Sequence, residues 1–513
     1  MFSETARKHT RYPDGRAKNG ENSPSATPRS SNRLALLLLL AIARRAAGQE
    51  PPAAPAGGAP PGREQNLARV QQATDERAAR EKDNPDVLVR RGLVADRRSK
   101  RVEILAEACT VGAADPVEFF LIGEKSGHGY EALAVSFASP ADVYEGLCFI
   151  GMKPGVAVDP ASVRFWPRGE RVIVTFEADG AGAAPVRAER FILDRRTGKA
   201  LPETGLVFTG SARRAAPGEP GRTVLDAEAC EPHSIASAYN EPGTLLDVPC
   251  RAAQGEVYNQ QKPDAELRFP PGRLLRVALE SERKSGPPRV MELVLAARPA
   301  AGAAGSRIED VVFDLREDAG AGPGSGLALT GVLERLTAAC ASGRDPFLTL
   351  DFDPALAVGA VRAVCSVIGS IEGESGVRVE PPKAGQLYYR AFLPNEAHRD
   401  RVKRMAQPWE LRLAPGPDGT VAGVLSDIDE QWAANGSNPM IAATDVPVPT
   451  PEALRKALDE RGPGLPVILV FCPPQLAYAE LLRFLAPVLG THPTIHVFVE
   501  GMPPLPSAIG VSP

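Results

Sequence analysis

The polar segment Lys125 to Glu131 carries the residues whose types and spacing most favour chemistry. His128 and Glu131 lie three positions apart, between the apolar runs Val117 to Ile122 and Ala132 to Phe137. An imidazole and a carboxylate this close can share a proton or bind a polar ligand. We therefore predict a ligand-binding site at His128 and Glu131. A hairpin also collects such residues merely because it faces water, and this alternative stays open here.

Other pairs of polar residues predict neither metal binding nor catalysis. His492 and His496 are four positions apart, but they lie in a predicted strand, where this spacing separates two residues by about 13 Å. Asp351 and Asp353 follow a strand and could hold Mg²⁺, yet carboxylates at this position also cap the next helix, which is the function we predict for them. No serine lies on a strand-to-helix elbow with the G-x-S-x-G pattern. We predict no catalytic residue, no metal site and no cofactor.

The seven cysteines form no CxxC motif and no cluster with histidine, so the sequence predicts neither a zinc site nor an iron–sulfur site. Cys230 and Cys250 flank one turn-rich connection and could form a disulfide in an oxidising compartment. The odd number of cysteines, with Cys340 and Cys365 in apolar helical patterns, instead favours buried thiols. Both alternatives remain open.

The first 48 residues resemble a secretory leader. A basic region precedes the apolar run Leu34 to Ala43, and the small residues Ala46 and Gly48 follow it. Ten apolar residues are too few to span a bilayer, which needs about 20. We expect cleavage, a periplasmic or extracellular location, and no transmembrane helix in the mature chain. An uncleaved anchor, or a true start further downstream, is the alternative.

Charge argues against nucleic acid as a partner. Residues 1–48 carry nine Lys/Arg and three Asp/Glu, so their removal takes the net charge from −4 to −10. An acidic chain has no general attraction for phosphate backbones. The expected partner is an unknown envelope protein or polymer.

Length and composition predict several domains, because 513 residues exceed what one hydrophobic core usually organises. The 50 prolines and 48 glycines predict many turns and linkers. We predict an α+β fold, in which a mostly antiparallel β domain precedes two small βαβ-type α/β domains. The expected divisions are a leader at 1–48, a Pro/Ala-rich linker and solvated charged helix at 49–97, the β domain at 98–299, α/β repeat 1 at 300–384, a connector at 385–405, α/β repeat 2 at 406–504 and a tail at 505–513.

A long segment of the β domain has a recognisable order of elements. VEFFLIGEKSGHGYEALAVSFASPADVYEGLCFIGMKPG (117–155) reads as strand, hairpin, strand and a helix that begins after Ser139 and ends at the turn of Gly155. The segment resembles the YdjY-type domain, a family of mainly uncharacterised envelope proteins. The resemblance continues through VFTGS (207–211), YNEPGTLLDVP (239–249), GEVYNQQ (255–261) and PPGRLLRVALE (270–280), and so covers about residues 98–285.

The last 200 residues contain an internal repeat with a constant offset of 120. Pro354 matches Pro474, Leu356 matches Leu476, and the flanking strands and helices follow the same offset. Alternating helices and strands predict small sheets covered by helices. The order of elements resembles the extracytoplasmic domain of ExbD/TolR-type biopolymer-transport proteins, but no membrane helix directly precedes either copy.

Between the copies, Gly385 to Pro415 is rich in arginine and aromatic residues. It predicts either a binding surface or a solvated connector with Trp409 buried in the second repeat.

These observations predict an exported, non-catalytic binding or scaffold protein of the cell envelope. A secreted hydrolase with a site between domains is the alternative. An accessory component of a biopolymer-transport complex is a third reading.

Overall fold

The structure is a computed structural model that describes most of the chain beyond the leader. The described residues are 62–180, 184–216, 218–219, 221–283, 287–303, 305, 307–317, 326–372, 376–393, 409–416, 420–431, 440–460, 467–489 and 494–501. The predicted leader and the Pro/Ala-rich part of the linker lie outside these residues.

The described residues form eight α-helices and 24 strands, so the fold is mixed α+β with mostly strands, as the sequence predicts. The helices are α1 (Arg63–Arg80), α2 (Pro140–Phe149), α3 (Asp226–Ala229), α4 (Gln254–Val257), α5 (Leu329–Ala341), α6 (Val358–Ile371), α7 (Pro451–Glu460) and α8 (Tyr478–Leu489). The strands are β1 (Val87–Arg90), β2 (Leu93–Asp96), β3 (Arg101–Ala108), β4 (Phe119–Gly123), β5 (Ala132–Ser136), β6 (Arg171–Ala178), β7 (Val186–Arg187), β8 (Ile192–Asp194), β9 (Leu206–Phe208), β10 (Arg213–Ala215), β11 (Thr223–Leu225), β12 (Ser234–Ser237), β13 (Leu246–Asp247), β14 (Gln261–Pro263), β15 (Leu274–Ser281), β16 (Val290–Pro299), β17 (Val311–Glu317), β18 (Asp345–Phe352), β19 (Arg378–Val379), β20 (Trp409–Pro415), β21 (Val421–Gln431), β22 (Met440–Val448), β23 (Val467–Cys472) and β24 (Thr494–Val499).

The first large sheet closes on itself. Its order runs β3-β15-β6-β9-β13-β12-β4-β5, and β5 pairs again with β3, so these eight described strands form a ring. Six of the eight neighbouring pairs are antiparallel, and the two parallel pairs, β12–β13 and β4–β5, are the ones that join strands consecutive in the chain. Strands β1 and β2 extend the sheet beyond β3.

The hairpin predicted between β4 and β5 is wrong. The two strands are parallel, with Phe119 opposite Ala132 and Gly123 opposite Ser136. Residues 124–131 therefore run back along β4 before β5 begins. Eight residues can span roughly 26 Å, well beyond the roughly 17 Å length of a five-residue strand, so this short connection suffices. As a result, Glu131 arrives beside the start of β4.

Helix α2 begins where the sequence predicts, because the Ser139 hydroxyl accepts a hydrogen bond from the Asp142 N–H at 3.1 Å. It ends earlier than predicted, at Phe149, and the chain turns at Gly151, whose φ is 94°. Gly155 has another role. A Cβ atom there would lie 1.8 Å from the Arg168 carbonyl oxygen, so only glycine permits this approach of two backbone segments.

The charged helix α1 is docked rather than solvated. Val70 is fully buried and belongs to a hydrophobic cluster with Phe137 and Leu274. Asn66 donates a hydrogen bond to the buried Glu107 carboxylate at 2.7 Å. The prediction of a helix with little to bury is therefore wrong, because one apolar position and one amide are enough to fix it on the closed sheet.

Two further sheets occupy the C-terminal half. One has the order β17-β16-β18-β19 and the other the order β22-β21-β20-β23-β24. Strand β16, which the predicted boundaries assign to the first domain, pairs in parallel with β18 along eight residues. Buried residues of α5 to α8 and of both sheets belong to one continuous hydrophobic core. Among the described helices, none combines the length and apolar character needed to cross a bilayer.

Candidate functional site

The structure brings the two predicted site residues into contact. His128 Nδ1 lies 2.6 Å from Glu131 Oε1, and the Glu131 side chain is buried whereas that of His128 is 30% exposed. The connection between β4 and β5 positions both groups, since the Glu131 carbonyl accepts hydrogen bonds from the N–H groups of Glu118 and Phe119 at 2.8 and 3.2 Å. The backbone of Glu131 is therefore fixed beside the start of β4, and its buried carboxylate contacts an imidazole that is partly exposed.

Two more carboxylates face this pair. Glu231 Oε2 lies 3.9 Å from His128 Nε2, and the same carboxylate accepts a hydrogen bond from the Gly127 N–H at 3.2 Å. Glu118 is buried and accepts a bond from the Gln254 side chain at 2.8 Å. The hydrogen bond that the imidazole donates to the Glu131 carboxylate raises the pKa of His128. Partial burial lowers this pKa, and the charges of Glu131, Glu231 and Glu118 raise it further. The surroundings thus favour the protonated imidazole.

Aromatic rings border the site. The Phe119 ring lies edge-on to the His128 ring, with the ring centroids 6.0 Å apart, and it also contacts Tyr239. The ring centroids of Tyr130 and His128 are 5.7 Å apart. Among the described residues, Tyr130 and Tyr258 are two of the three large apolar side chains that are exposed, at 45% and 50%. Burial of the hydroxyl and the charge of Glu131 raise the pKa of Tyr130 to about 12, so its hydroxyl stays protonated at neutral pH.

The sequence did not predict three residues near the site, namely Glu118 and Glu231, which act on His128, and Tyr258, which lies near Tyr130. Glu118 and Glu231 carry no local pattern that marks them, because they approach His128 only through the fold. Tyr258 lies in GEVYNQQ, a segment quoted for the family resemblance, and this was the one signal that could have identified it.

The remaining polar candidates lie elsewhere. Asp351 forms an ion pair with Lys383 at 2.5 Å, and Asp353 accepts a hydrogen bond from the Ala355 N–H at 2.8 Å. Asp353 therefore caps a turn and not helix α6, which begins at Val358 without a side-chain cap. His496 lies in β24, where burial lowers its pKa to about 4, while His492 is outside the described residues. No group of three or more His, Cys, Asp or Glu suited to a metal ion occurs in the part of the chain that the structure describes.

Cys230 and Cys250 are both free thiols in the structure, and so are the other five cysteines. Cys230 is half-buried at the end of α3, and Cys250 is exposed. The predicted disulfide is therefore not formed here, and pairing on oxidation stays a prediction. Cys365 is buried and Cys340 is half-buried.

A buried ion cluster joins the closed sheet to the β16–β19 sheet. Asp345 accepts hydrogen bonds from Arg171 at 3.0 Å, from Arg289 at 2.9 Å and from Arg378 at 3.1 Å. Burial raises the pKa of Asp345, but the charges of the three arginines outweigh this effect and hold it below its usual value. We call these four residues the Asp345 cluster.

A second buried carboxylate lies in the same region. Glu372 accepts hydrogen bonds from the Trp166 indole at 2.8 Å, from Tyr389 and from Arg390. Tyr389 and Arg390 belong to the aromatic and cationic stretch between the repeats, which therefore starts as a buried joint rather than a binding surface. Trp409 is buried, at 6% exposure, whereas residues 394–408 lie outside the described part.

Comparison with known proteins identifies one domain. The YdjY domain family matches residues 93–231, a range that includes His128, Glu131 and Glu231. No curated protein matches the chain.

Among solved structures, the chain is similar to the native protease–reverse transcriptase of prototype foamy virus, at 10% identity over 41% of this chain and 36% of that one, with a TM-score of 0.11. The CSH mutant of the same viral protein matches at 10% identity over 43% of this chain and 37% of that one, with a TM-score of 0.12. This chain spans little more than a third of those proteins, and such low scores carry no argument about its fold.

Proposed function

We propose that this chain is an exported, non-catalytic binding protein of the cell envelope, and that its YdjY domain binds a protein or polymer at His128 and Glu131. The observation that carries the proposal is the His128–Glu131 contact of 2.6 Å at the surface of the YdjY domain. The buried carboxylate fixes the orientation of an imidazole that is still accessible. A preorganised polar group of this kind binds a ligand without first losing side-chain entropy.

The surroundings of the pair support recognition of a cationic or hydrogen-bond-donating group. Glu231 is half exposed beside the imidazole, and Tyr130 and Tyr258 expose their rings nearby. Tyrosine faces attract cations, and exposed tyrosines recur among the residues that contribute most to protein interfaces. A ligand group held between a carboxylate and an aromatic ring would use both interactions.

The joint between the closed sheet and the α/β half supports the proposal, because it fixes the sheet that carries the site. The Asp345 cluster and Glu372 connect the closed sheet to the α/β half through buried, charge-assisted hydrogen bonds. Such bonds fix geometry strongly, because breaking one leaves a buried charge without its partner. The joint thereby fixes the closed sheet, which carries the site, against the α/β half.

The experiment measures binding of the purified full chain to isolated envelope polymer and, separately, to solubilised envelope proteins. The double variant His128→Ala/Glu131→Ala should lose binding in whichever arm the wild type binds. The matched control is Glu219→Ala/Arg222→Ala, which removes an exposed ion pair of 2.7 Å with the same i,i+3 spacing in the same domain. The control should bind like the wild type.

Unchanged binding by the double variant would remove the site from the proposal. Turnover of substrate in a broad hydrolase screen, abolished by the same two substitutions, would replace binding with catalysis. Circular dichroism of all three proteins ensures that only folded variants are compared.

A further inference from the structure

The two sheets of the C-terminal half have the same internal order. In the first sheet, β16 pairs antiparallel with β17 and parallel with β18, and β18 pairs parallel with β19. In the second sheet, β20 pairs antiparallel with β21 and parallel with β23, and β23 pairs parallel with β24. The ordered sets are β17-β16-β18-β19 and β21-β20-β23-β24, and β22 adds one edge strand to the second. A helix precedes and another follows the third strand of each set.

Reciprocal backbone hydrogen bonds join the two halves at equivalent positions. The Val358 N–H donates to the Leu476 carbonyl at 2.8 Å, and the Tyr478 N–H donates to the Leu356 carbonyl at 2.7 Å. Each residue of one bond lies 120 positions from its counterpart in the other. The contact therefore obeys a local twofold axis.

A second reciprocal pair repeats this relation. The Gly359 N–H donates to the Pro474 carbonyl at 2.9 Å, and the Ala479 N–H donates to the Pro354 carbonyl at 2.9 Å. Ala357 and Ala477 form an antiparallel bridge at the centre, also 120 positions apart. In a twofold, isologous interface the same patch serves on both sides, and residue i meets j while j meets i.

The residues that form this contact are chemically the same in both halves. The pattern Pro-x-Leu-Ala occurs at 354–357 and again at 474–477. Leu356 and Leu476 are both buried in the single core that spans the two sheets. A self-complementary patch needs such equivalence, because each side must satisfy the other.

We propose that residues 290–379 and 409–499 are two copies of one interaction module, whose Pro-x-Leu-Ala surface recognises a second copy of itself. The chain folds its C-terminal half as an internal pseudo-dimer through this surface. The partner of one module is the other module of the same chain, so the surface is already occupied within a single molecule.

A designed disulfide tests this contact in the full chain. Ala357 and Ala477 form the non-hydrogen-bonded pair between the two bonds to Leu476 and Leu356, where Cα atoms lie about 4.5 Å apart, within the roughly 4.4–6.8 Å range of a disulfide. Ala357→Cys/Ala477→Cys should cross-link within one chain on mild oxidation, as mapped by peptide mass spectrometry. Ala357→Cys alone should form no chain-to-chain disulfide at position 357 under the same oxidation.

Two outcomes would overturn the proposal. One is a folded double-cysteine variant that fails to form the disulfide between positions 357 and 477, because the twofold contact would then be absent. The other is a chain-to-chain disulfide at position 357 of the single Ala357→Cys variant, which peptide mass spectrometry distinguishes from one at the exposed native Cys250, because the surface would then not be occupied within the molecule.

A second measurement tests the equivalence of the two copies. Leu356→Ala and Leu476→Ala should lower the thermal midpoint by similar amounts, and the double variant should lose less than the sum, because residues that share one contact are not additive. A midpoint unchanged by one of the two substitutions, or strict additivity, would contradict a shared symmetric surface.

Discussion

Two carboxylates of this molecule, Glu131 and Asp345, are both buried, but their partners differ. Glu131 meets a single half-exposed imidazole at 2.6 Å, whereas Asp345 meets three guanidinium groups in the joint between two sheets. A histidine can gain or lose its charge near neutral pH, and an arginine cannot. Glu131 thus belongs to a site whose charge can change near neutral pH, whereas Asp345 belongs to a structural contact whose arginines stay charged.

The largest effect should come from Asp345→Ala. The substitution leaves the Arg171 guanidinium, in a residue only 3% exposed, without its carboxylate partner. Removing one member of a buried ion cluster costs about 3–5 kcal/mol. Urea denaturation should show this loss, while Glu219→Ala, in an exposed ion pair, should change the free energy of unfolding by less than about 0.5 kcal/mol. An Asp345→Ala protein as stable as the wild type would mean that the cluster does not hold the joint.

The free energy of unfolding at acid pH should also show the contribution of the Asp345 cluster. Because the pKa of Asp345 is lowered in the folded state, its contribution is fully present above the unfolded value, near 3.9, and is lost as pH falls through the lower folded value. Wild type should therefore lose stability more steeply than Asp345→Asn below about pH 4. Parallel curves for the two proteins in urea titrations at pH 2 to 7 would contradict this assignment.

Glu372→Gln should have an intermediate effect. The amide keeps the shape of the side chain but removes the charge that faces Arg390 and the Trp166 indole. Hydrogen bonds to charged groups are worth about 1.5–3 kcal/mol, and we expect a loss in this range by the same denaturation measurement. A change within experimental error would show that the joint depends on the Asp345 cluster alone.

The smallest effect should come from the surface pair. The raised pKa of His128 gives stability that is present below the unfolded value, about 6.5, and is lost as pH rises through the folded value. Because the imidazole is 30% exposed, solvent screening should limit this contribution to about 1 kcal/mol or less. Glu131→Gln should lower the pKa of His128 in an NMR titration of ¹³C-labelled histidine. An unchanged pKa would mean that a group other than Glu131 raises the pKa of His128.

The same contrast explains what the sequence could predict. His128 and Glu131 were recognisable because they lie three positions apart within one polar segment. The Asp345 cluster was not, because its arginines come from positions 171, 289 and 378 and only the fold brings them together. Spacing along the sequence identifies polar residues that are close in the chain, but it contains no information about partners that only the fold brings together.

Strand direction and helix docking were missed for related reasons. Short apolar runs predict β4 and β5, but such a run is compatible with a parallel and with an antiparallel neighbour, so it could not exclude a hairpin. Helix α1 looked solvated because Val70 is the one apolar residue that it buries fully. Helix α2, by contrast, was predicted with its correct start because Ser139 is a strong local capping signal.

The most direct test of the proposed binding site follows the imidazole itself. The full chain, labelled with ¹³C at histidine, is titrated with the envelope fraction that it binds, and His496 in β24 serves as an internal control. If the ligand binds at His128, the His128 signal shifts with saturation while the His496 signal does not. Saturated binding with an unchanged His128 signal would contradict it.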